Sequence, residues 1–246
     1  AGSLLYWAIL ERGHRILVVD RDEEITSSKV AAGLVTPFTG SKFQLTPAFE
    51  ERLQFAKRFY WDLEEKTGAR FFHHTPIIKL FREEQEKEAW ERRSSSQAEE
   101  IRSYHEPLTL ERRNLREEHG GFMMKRCGRI HVPEFIEATR QHLLERAAYA
   151  IGRVDSEELK ATDTGARWKN VEAKLVIFAE GWMAEKNPLF DWLKMSNALG
   201  DILEVRAPAL ASLDKIVNRG GWLLPLGEGR FRTGSNYRHH VEEVRP

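Results

Sequence analysis

Apolar residues recur along this chain with three different spacings, and each predicts a different kind of element. Ile16, Leu17, Val18 and Val19 run consecutively and are stopped by Asp20. An unbroken apolar run of that length predicts a parallel strand over residues 15–20, buried on both faces. Leu175, Val176, Ile177, Phe178 and Ala179 repeat the pattern before Glu180 and Gly181, so a second such strand is expected over 174–181. Helical spacing is clearest between Phe49 and Leu63. There Leu53, Ala56, Phe59 and Tyr60 join them on one face, and Gly68 stands where a helix over 49–67 would end. Residues 3–12 read as a helix apolar on nearly every side. Pro133 opens another over 134–148, with Phe135, Leu143, Leu144 and Ala147 turned to a sheet.

The third spacing is short and bounded by turn residues. It predicts strands at 70–73 and 76–81, paired with each other through His74 and Thr75, and two more at 120–125 and 128–132. Residues 221–226 and 229–234 flank a glycine turn and predict an antiparallel hairpin. The stretch 83–101 is dense in charge and poor in apolar residues, which predicts a solvated helix. Parallel-type and antiparallel-type strands alternate along one chain. The expected class is therefore α/β, or α+β overall, with a Rossmann-like domain interleaved with an antiparallel-sheet domain.

At 246 residues the chain is long enough to bury a core of this kind. Basic and acidic residues number 38 each, so no global field favours nucleic acid or an anionic membrane. The single cysteine, Cys127, excludes an intrachain disulfide and a cysteine zinc cage, and it points to a reducing compartment, hence the cytoplasm. No apolar run approaches the roughly 18 to 20 residues that span a bilayer.

The chemistry is carried by small residues. Gly2 opens the first helix and Asp20 lies 18 positions beyond it, at the end of the first strand. This is the spacing of a dinucleotide-binding βαβ unit, in which the helix start faces a pyrophosphate and the acid accepts ribose hydroxyls. Its opening strand and first glycines are not in the sequence, so the chain reads as a fragment. Residues 26–37, Thr-Ser-Ser-Lys-Val-Ala-Ala-Gly-Leu-Val-Thr-Pro, form a side-chain-poor stretch whose backbone can approach a ligand closely.

Ala1-Gly2, Val18-Val19-Asp20, the stretch from Ser27 to Leu34, and the segment from Leu175 to Trp182 come in an order that resembles the FAD-dependent oxidoreductases of the D-amino-acid oxidase type. That group includes glycine and sarcosine oxidases. Weaker points of similarity are Gly128 to Pro133 and the hairpin from Trp222 to Gly234. The resemblance implies FAD as cofactor and a small-molecule amine or amino acid as substrate. It implies that Gly2 faces the pyrophosphate and Asp20 holds the adenosine ribose. Backbone at Ser27, Ser28, Ala32, Gly33 and Leu34 would follow the pyrophosphate and the ribityl-flavin end. Val154 would recognise adenine, and Ala179, Gly181 and Trp182 would pass the diphosphate. The implied division is an FAD-binding domain over 1–70 and 128–182 and a substrate domain over 71–127 and 183–246. A fragment lacking the first strand and the last flavin-contacting segment is expected to be inactive by itself.

No triad or paired acids stand out, and the flavin reading requires none, because the cofactor takes the hydride while the protein orients both partners. Catalytic residues are therefore not assigned. Gly2 and Asp20 alone would equally serve a nicotinamide-dependent dehydrogenase, and a non-catalytic remnant of a flavoprotein is a further alternative. His73-His74 and His239-His240 invite a metal or covalent-flavin reading, but neighbours on a strand point to opposite faces, and no metal is expected. Cys127 is either a flavin anchor or a small buried hydrophobe. Trp222 and Tyr237 either line a substrate cavity or pack in the core.

Overall fold

The computed structural model describes residues 1–108 and 115–239. They divide into two compact units. One holds Ala1–Thr26, Ile136–Ala198 and, at the end of the described chain, His239; the other holds Ser27–Phe135 and Leu199–Arg238. Six α-helices are present in these residues: α1 (Gly2–Leu10), α2 (Ser27–Val30), α3 (Phe49–Thr67), α4 (Glu84–Ser96), α5 (Ala98–Ile101) and α6 (Val132–Glu145). Helices and several sheets occur together, as the α/β and α+β expectation requires.

In the first unit, α1 buries Tyr6 and Trp7 against α6. The Tyr6 hydroxyl meets His142 Nδ1 at 2.8 Å, and Trp7 Nε1 donates to Thr139 Oγ1 at 2.9 Å. Both polar tips are thus satisfied while the rings supply apolar area. The strand Val18–Asp20 pairs in parallel with Tyr149–Ile151, Asp20 lying opposite Ile151. It is shorter than the expected 15–20, because only these three residues find a ladder partner. Leu159–Thr162, Gly165–Trp168 and Val171–Ala173 form an antiparallel meander. Residues 174–181, expected as a second parallel strand, are not one. Among the described residues no strand pairs with them, and Leu175 and Ile177 are 73% and 46% exposed. Apolar sequence makes a segment extended, but only a neighbour's backbone makes it a strand.

The second unit is built on a seven-stranded sheet. Its order is Ile202–Arg206, Arg230–Gly234, Gly221–Gly227, Ile216–Arg219, Ile77–Leu80, Gly121–Met124, His105–Pro107. The expected hairpin is the Gly221–Gly227 and Arg230–Gly234 pair. A smaller sheet places Gly128–Ile130 between Leu34–Val35 and Phe72–His74. The strands predicted to pair with each other through His74 and Thr75 therefore belong to different sheets. Phe72–His74 pairs with Gly128–Ile130, whereas Ile77–Leu80 pairs with Gly121–Met124 and Ile216–Arg219. Ile77–Leu80 is buried at every position and has a partner strand on each side, whereas Phe72–His74 buries only Phe72.

Helix α3 has the expected bounds and ends on Gly68 in the left-handed conformation, φ +71°. From it the buried Glu64 reaches out to accept N–H groups of Phe71 and Phe72 at 2.7 and 2.8 Å, fixing where the next strand starts. The charged stretch 83–101 is not simply solvated. Trp90 of α4 stacks on Phe122 with ring centroids 3.7 Å apart, and Ile101 is fully buried in the same core. Trp90 and the buried Glu86 dock α4, and Ile101 docks α5, although the stretch is otherwise polar.

Candidate functional site

The expected site residues fall in both units, and the first holds six of them. Helix α1 begins at Gly2 after Ala1, with no side-chain cap on its start. The first N–H groups of a helix have no intrahelical acceptor, so this end offers donors and the positive end of the helix dipole. Ala179 comes to this place from far along the chain: a Cβ added to Gly2 would stand 3.4 Å from the Ala179 Cβ. Two residues expected along one diphosphate therefore meet. Gly181, two residues later, has φ +61° and open space where a Cβ would be, and it starts the 3-10 helix Gly181–Lys186. Trp182 follows, 45% exposed, with the Lys186 ammonium 5.4 Å from its ring.

Asp20 ends its parallel strand exposed to solvent. Ligands of such sheets lie beyond the carboxyl ends of the strands, which is where this carboxylate is. Its Oδ1 accepts the Asp22 N–H at 2.7 Å, which fixes the carboxylate orientation. Asp22 is itself held by Arg140 through two bonds of 2.6 and 2.7 Å. Burial, and then the nearby Asp20 charge, raise the Tyr149 hydroxyl above its ordinary pKa. Val154 is half-buried in the connection that follows Tyr149–Ile151.

In the second unit Ser27 and Ser28 form the first turn of the short α2, and both are exposed. Ala32 is buried. Gly33 turns the chain with φ +67°, and a Cβ there would fall 2.0 Å from the Ile130 carbonyl oxygen. Glycine is demanded at this position by the protein's own backbone. Leu34 then enters the small sheet opposite Arg129.

The residues with open alternatives also resolve. Cys127 is buried in the main core, its thiol directed to the Lys125 carbonyl at 3.3 Å, and burial pushes its pKa up to about 12. That is a packed thiol and not a nucleophile. His73 and His74 occupy successive register positions, opposite Arg129 and Gly128, and so face opposite ways. His239 is exposed, and His240 lies outside the described residues. Among the described residues no group of three or more His, Cys, Asp or Glu is placed to hold a metal. Trp222 packs at the margin of the core, whereas Tyr237 is 75% exposed.

A family model described as FAD dependent oxidoreductase matches residues 1–246. Among solved structures, glycine oxidase from Bacillus cereus ATCC 14579 is similar with a TM-score of 0.76 at 22% identity, over 100% of this chain and 73% of that one. Glycine oxidase from Geobacillus kaustophilus gives 0.72 at 20% identity, over 98% and 70%. Iminodiacetate oxidase from Chelativorans sp. BNC1 gives 0.74 at 12% identity, over 100% and 72%. At such identities these likenesses speak for the fold.

Proposed function

Because the chain belongs to the FAD dependent oxidoreductase family, we propose that it oxidises the C–N bond of a small amine or amino acid. The nicotinamide-dependent alternative gives way to the flavin one on the same ground. Glycine oxidases and an iminodiacetate oxidase share the fold, and their substrates are small amines bearing carboxylates. The observation that carries the reading is the meeting of Gly2 and Ala179 at the uncapped start of α1, with Asp20 at a parallel-strand end in the same unit. A donor-rich helix start lined by side-chain-poor backbone, together with a fixed carboxylate, suits a ligand with a diphosphate and a ribose.

In this reading the α1 N–H groups near Gly2 bind the diphosphate, and the small surfaces of Ala179 and Gly181 let it approach. Trp182 shields it from one side. Asp20 accepts from the adenosine ribose hydroxyls, and Val154 meets adenine through its backbone. In the second unit Ser27, Ser28, Ala32, Gly33 and Leu34 keep the backbone roles that the sequence gives them. The functional division into an FAD-binding part, 1–70 and 128–182, and a substrate part, 71–127 and 183–246, belongs to this proposal. When bound, the flavin supplies the hydride acceptor.

We place the protein in the cytoplasm, in keeping with one cysteine that is buried as a thiol. No helix of the described residues is long and apolar enough to cross a membrane. The test is to load the chain with FAD and to follow both peroxide release and dye reduction on glycine, sarcosine and D-amino acids. Turnover of one or more of these supports the proposal. A folded chain that takes up no FAD opposes it.

A further inference from the structure

The large sheet of the second unit ends at one side on Ile202–Arg206, which among the described residues pairs only with Arg230–Gly234. Just past the strand, the Ala207 N–H donates to the Gly229 carbonyl at 2.7 Å, toward that neighbour. Backbone groups alternate in direction along an antiparallel ladder. Those of Leu203 and Val205 therefore also turn inward, and those of Ile202, Glu204 and Arg206 point out from the sheet edge. An open edge is a template for another strand unless proline, a bulge or repelling charges blunt it. This strand has no proline and no break in its register, and its two charges are of opposite sign.

The two faces of the strand differ. Val205 lies opposite the buried Phe231, and Leu203 opposite Thr233, which in turn faces Leu223. Phe231 belongs to an apolar cluster against which Ala207 and Leu223 pack. Leu203 and Val205 thus stand on the core side of the sheet, yet they are 59% and 36% exposed. They are apolar surface at the open margin of a core. Glu204 and Arg206 lie on the other face, both exposed. Glu204 accepts from Arg232 Nε and Nη2 at 3.2 and 2.5 Å. Arg206 is opposite Arg230, and like charges directly opposite weaken a sheet pair.

The strand is complementary to itself. A two-fold axis through Val205 sets a second copy antiparallel, with Val205 against Val205 of the second copy and Leu203 against its Ala207. Glu204 then faces Arg206 of the second copy, and Arg206 faces its Glu204. Each guanidinium gains the carboxylate that Arg230 does not supply. The backbone agrees with this register: Glu204 and Arg206 carry the outward groups, so each such pair can exchange N–H···O=C bonds, with Val205 as the non-hydrogen-bonded pair between them. An axis through Glu204 would instead oppose two carboxylates. We propose that Ile202–Arg206 docks a second copy of this chain edge to edge in the Val205-centred register. The contact is isologous and closes at a dimer. It does not depend on the flavoenzyme reading, because no residue of the candidate site lies on this strand.

The test is sedimentation velocity of the full chain over about 1–100 μM, with circular dichroism to establish that each variant is folded. The parent is expected to pass from monomer to dimer across this range, with no larger species. Arg206→Glu sets acid against acid in both pairs and should weaken the dimer by about thirtyfold or more. Glu204→Arg sets cation against cation and should do the same. In an equal mixture of these two variants every Glu of one chain meets an Arg of the other, and the dimer should return. Val205→Lys opposes two ammonium groups at the axis and should weaken the dimer without touching the Glu204–Arg232 bonds. A parent that stays monomeric throughout overturns the proposal, as does assembly beyond a dimer. A dimer undiminished in Arg206→Glu or Val205→Lys also overturns it, and so does a mixture of the two charge variants that stays monomeric.

Discussion

Gly33 and Ile130 approach so closely that any side chain at position 33 would collide with backbone: a Cβ there lies 2.0 Å from the Ile130 carbonyl oxygen. The same two residues are tied by the Ile130 N–H donating to the Gly33 carbonyl at 2.9 Å. Gly33→Ala must therefore move a sheet strand as well as strain a residue at φ +67°. A cost of about 2 kcal/mol or more is expected, from backbone strain plus the displaced ladder. Chemical denaturation measures it, and stability equal to the parent would contradict the closeness of this contact.

Glu86 and Lys79 form a buried pair, with Lys79 Nζ 3.3 Å from Glu86 Oε2 and 3.2 Å from Asn218 Oδ1. Glu86 also accepts the Arg82 N–H at 2.9 Å, so it ties the start of α4 to the large sheet. Burial holds Lys79 below its ordinary pKa even though Glu86 pulls the other way. Glu86→Ala leaves that ammonium buried without its counter-ion, and a loss of about 3–5 kcal/mol is expected. Adding Lys79→Met should recover much of it in the double variant. No recovery would show that the loss comes from α4 itself.

Three histidines of the second unit set a pH dependence. Burial is the leading cause that lowers His74, His105 and His131 below the ordinary value of 6.5, with Lys57, Lys125 and Arg129 respectively adding to it. Below pH 6.5 the unfolded chain takes up protons that the folded chain refuses. Stability is therefore full above that value and falls as the pH drops toward the folded-state values. Urea midpoints measured between pH 7.5 and 5 should decline across this interval, about as ordinary histidine titration dictates. Replacing His105 and His131 by glutamine should flatten the decline, and an unchanged slope would assign it to other groups.

Cys127 should resist alkylation. A thiol whose pKa is pushed to about 12 holds almost no thiolate at pH 8, and its side chain is buried in the core. Iodoacetamide is expected to label it only at the rate at which the fold opens, and fully in denaturant. Rapid labelling of the folded chain would reopen the reactive-cysteine alternative.

The parts legible in the sequence are those that local physics decides. Helix α3 carries its own apolar face and its own glycine stop, and the hairpin ending at Gly234 carries its own turn; both are found where their patterns place them. Strand partners are decided at long range. Nothing between Phe72 and Ile77 tells that the two strands part to different sheets, and the apolar run from Leu175 finds no ladder. The charged α4 hides its docking in Trp90 and in the buried Glu86. At the candidate site, the helix start at Gly2 and the strand end at Asp20 are legible because their spacing reflects a strand-helix geometry. The approach of Ala179 to Gly2 is set by the fold and not by their spacing in the sequence.

The account stands most directly on FAD binding by this chain through Asp20. Equilibrium titration of the purified chain with FAD, followed by flavin fluorescence and by the visible spectrum of the gel-filtered complex, should give saturable binding. Asp20→Ala, which removes a solvent-exposed side chain and leaves the core intact, should weaken it by about ten- to a hundredfold, as the loss of charge-assisted bonds to a ribose predicts. Equal retention of FAD by the parent and by Asp20→Ala, with both folded, would contradict it.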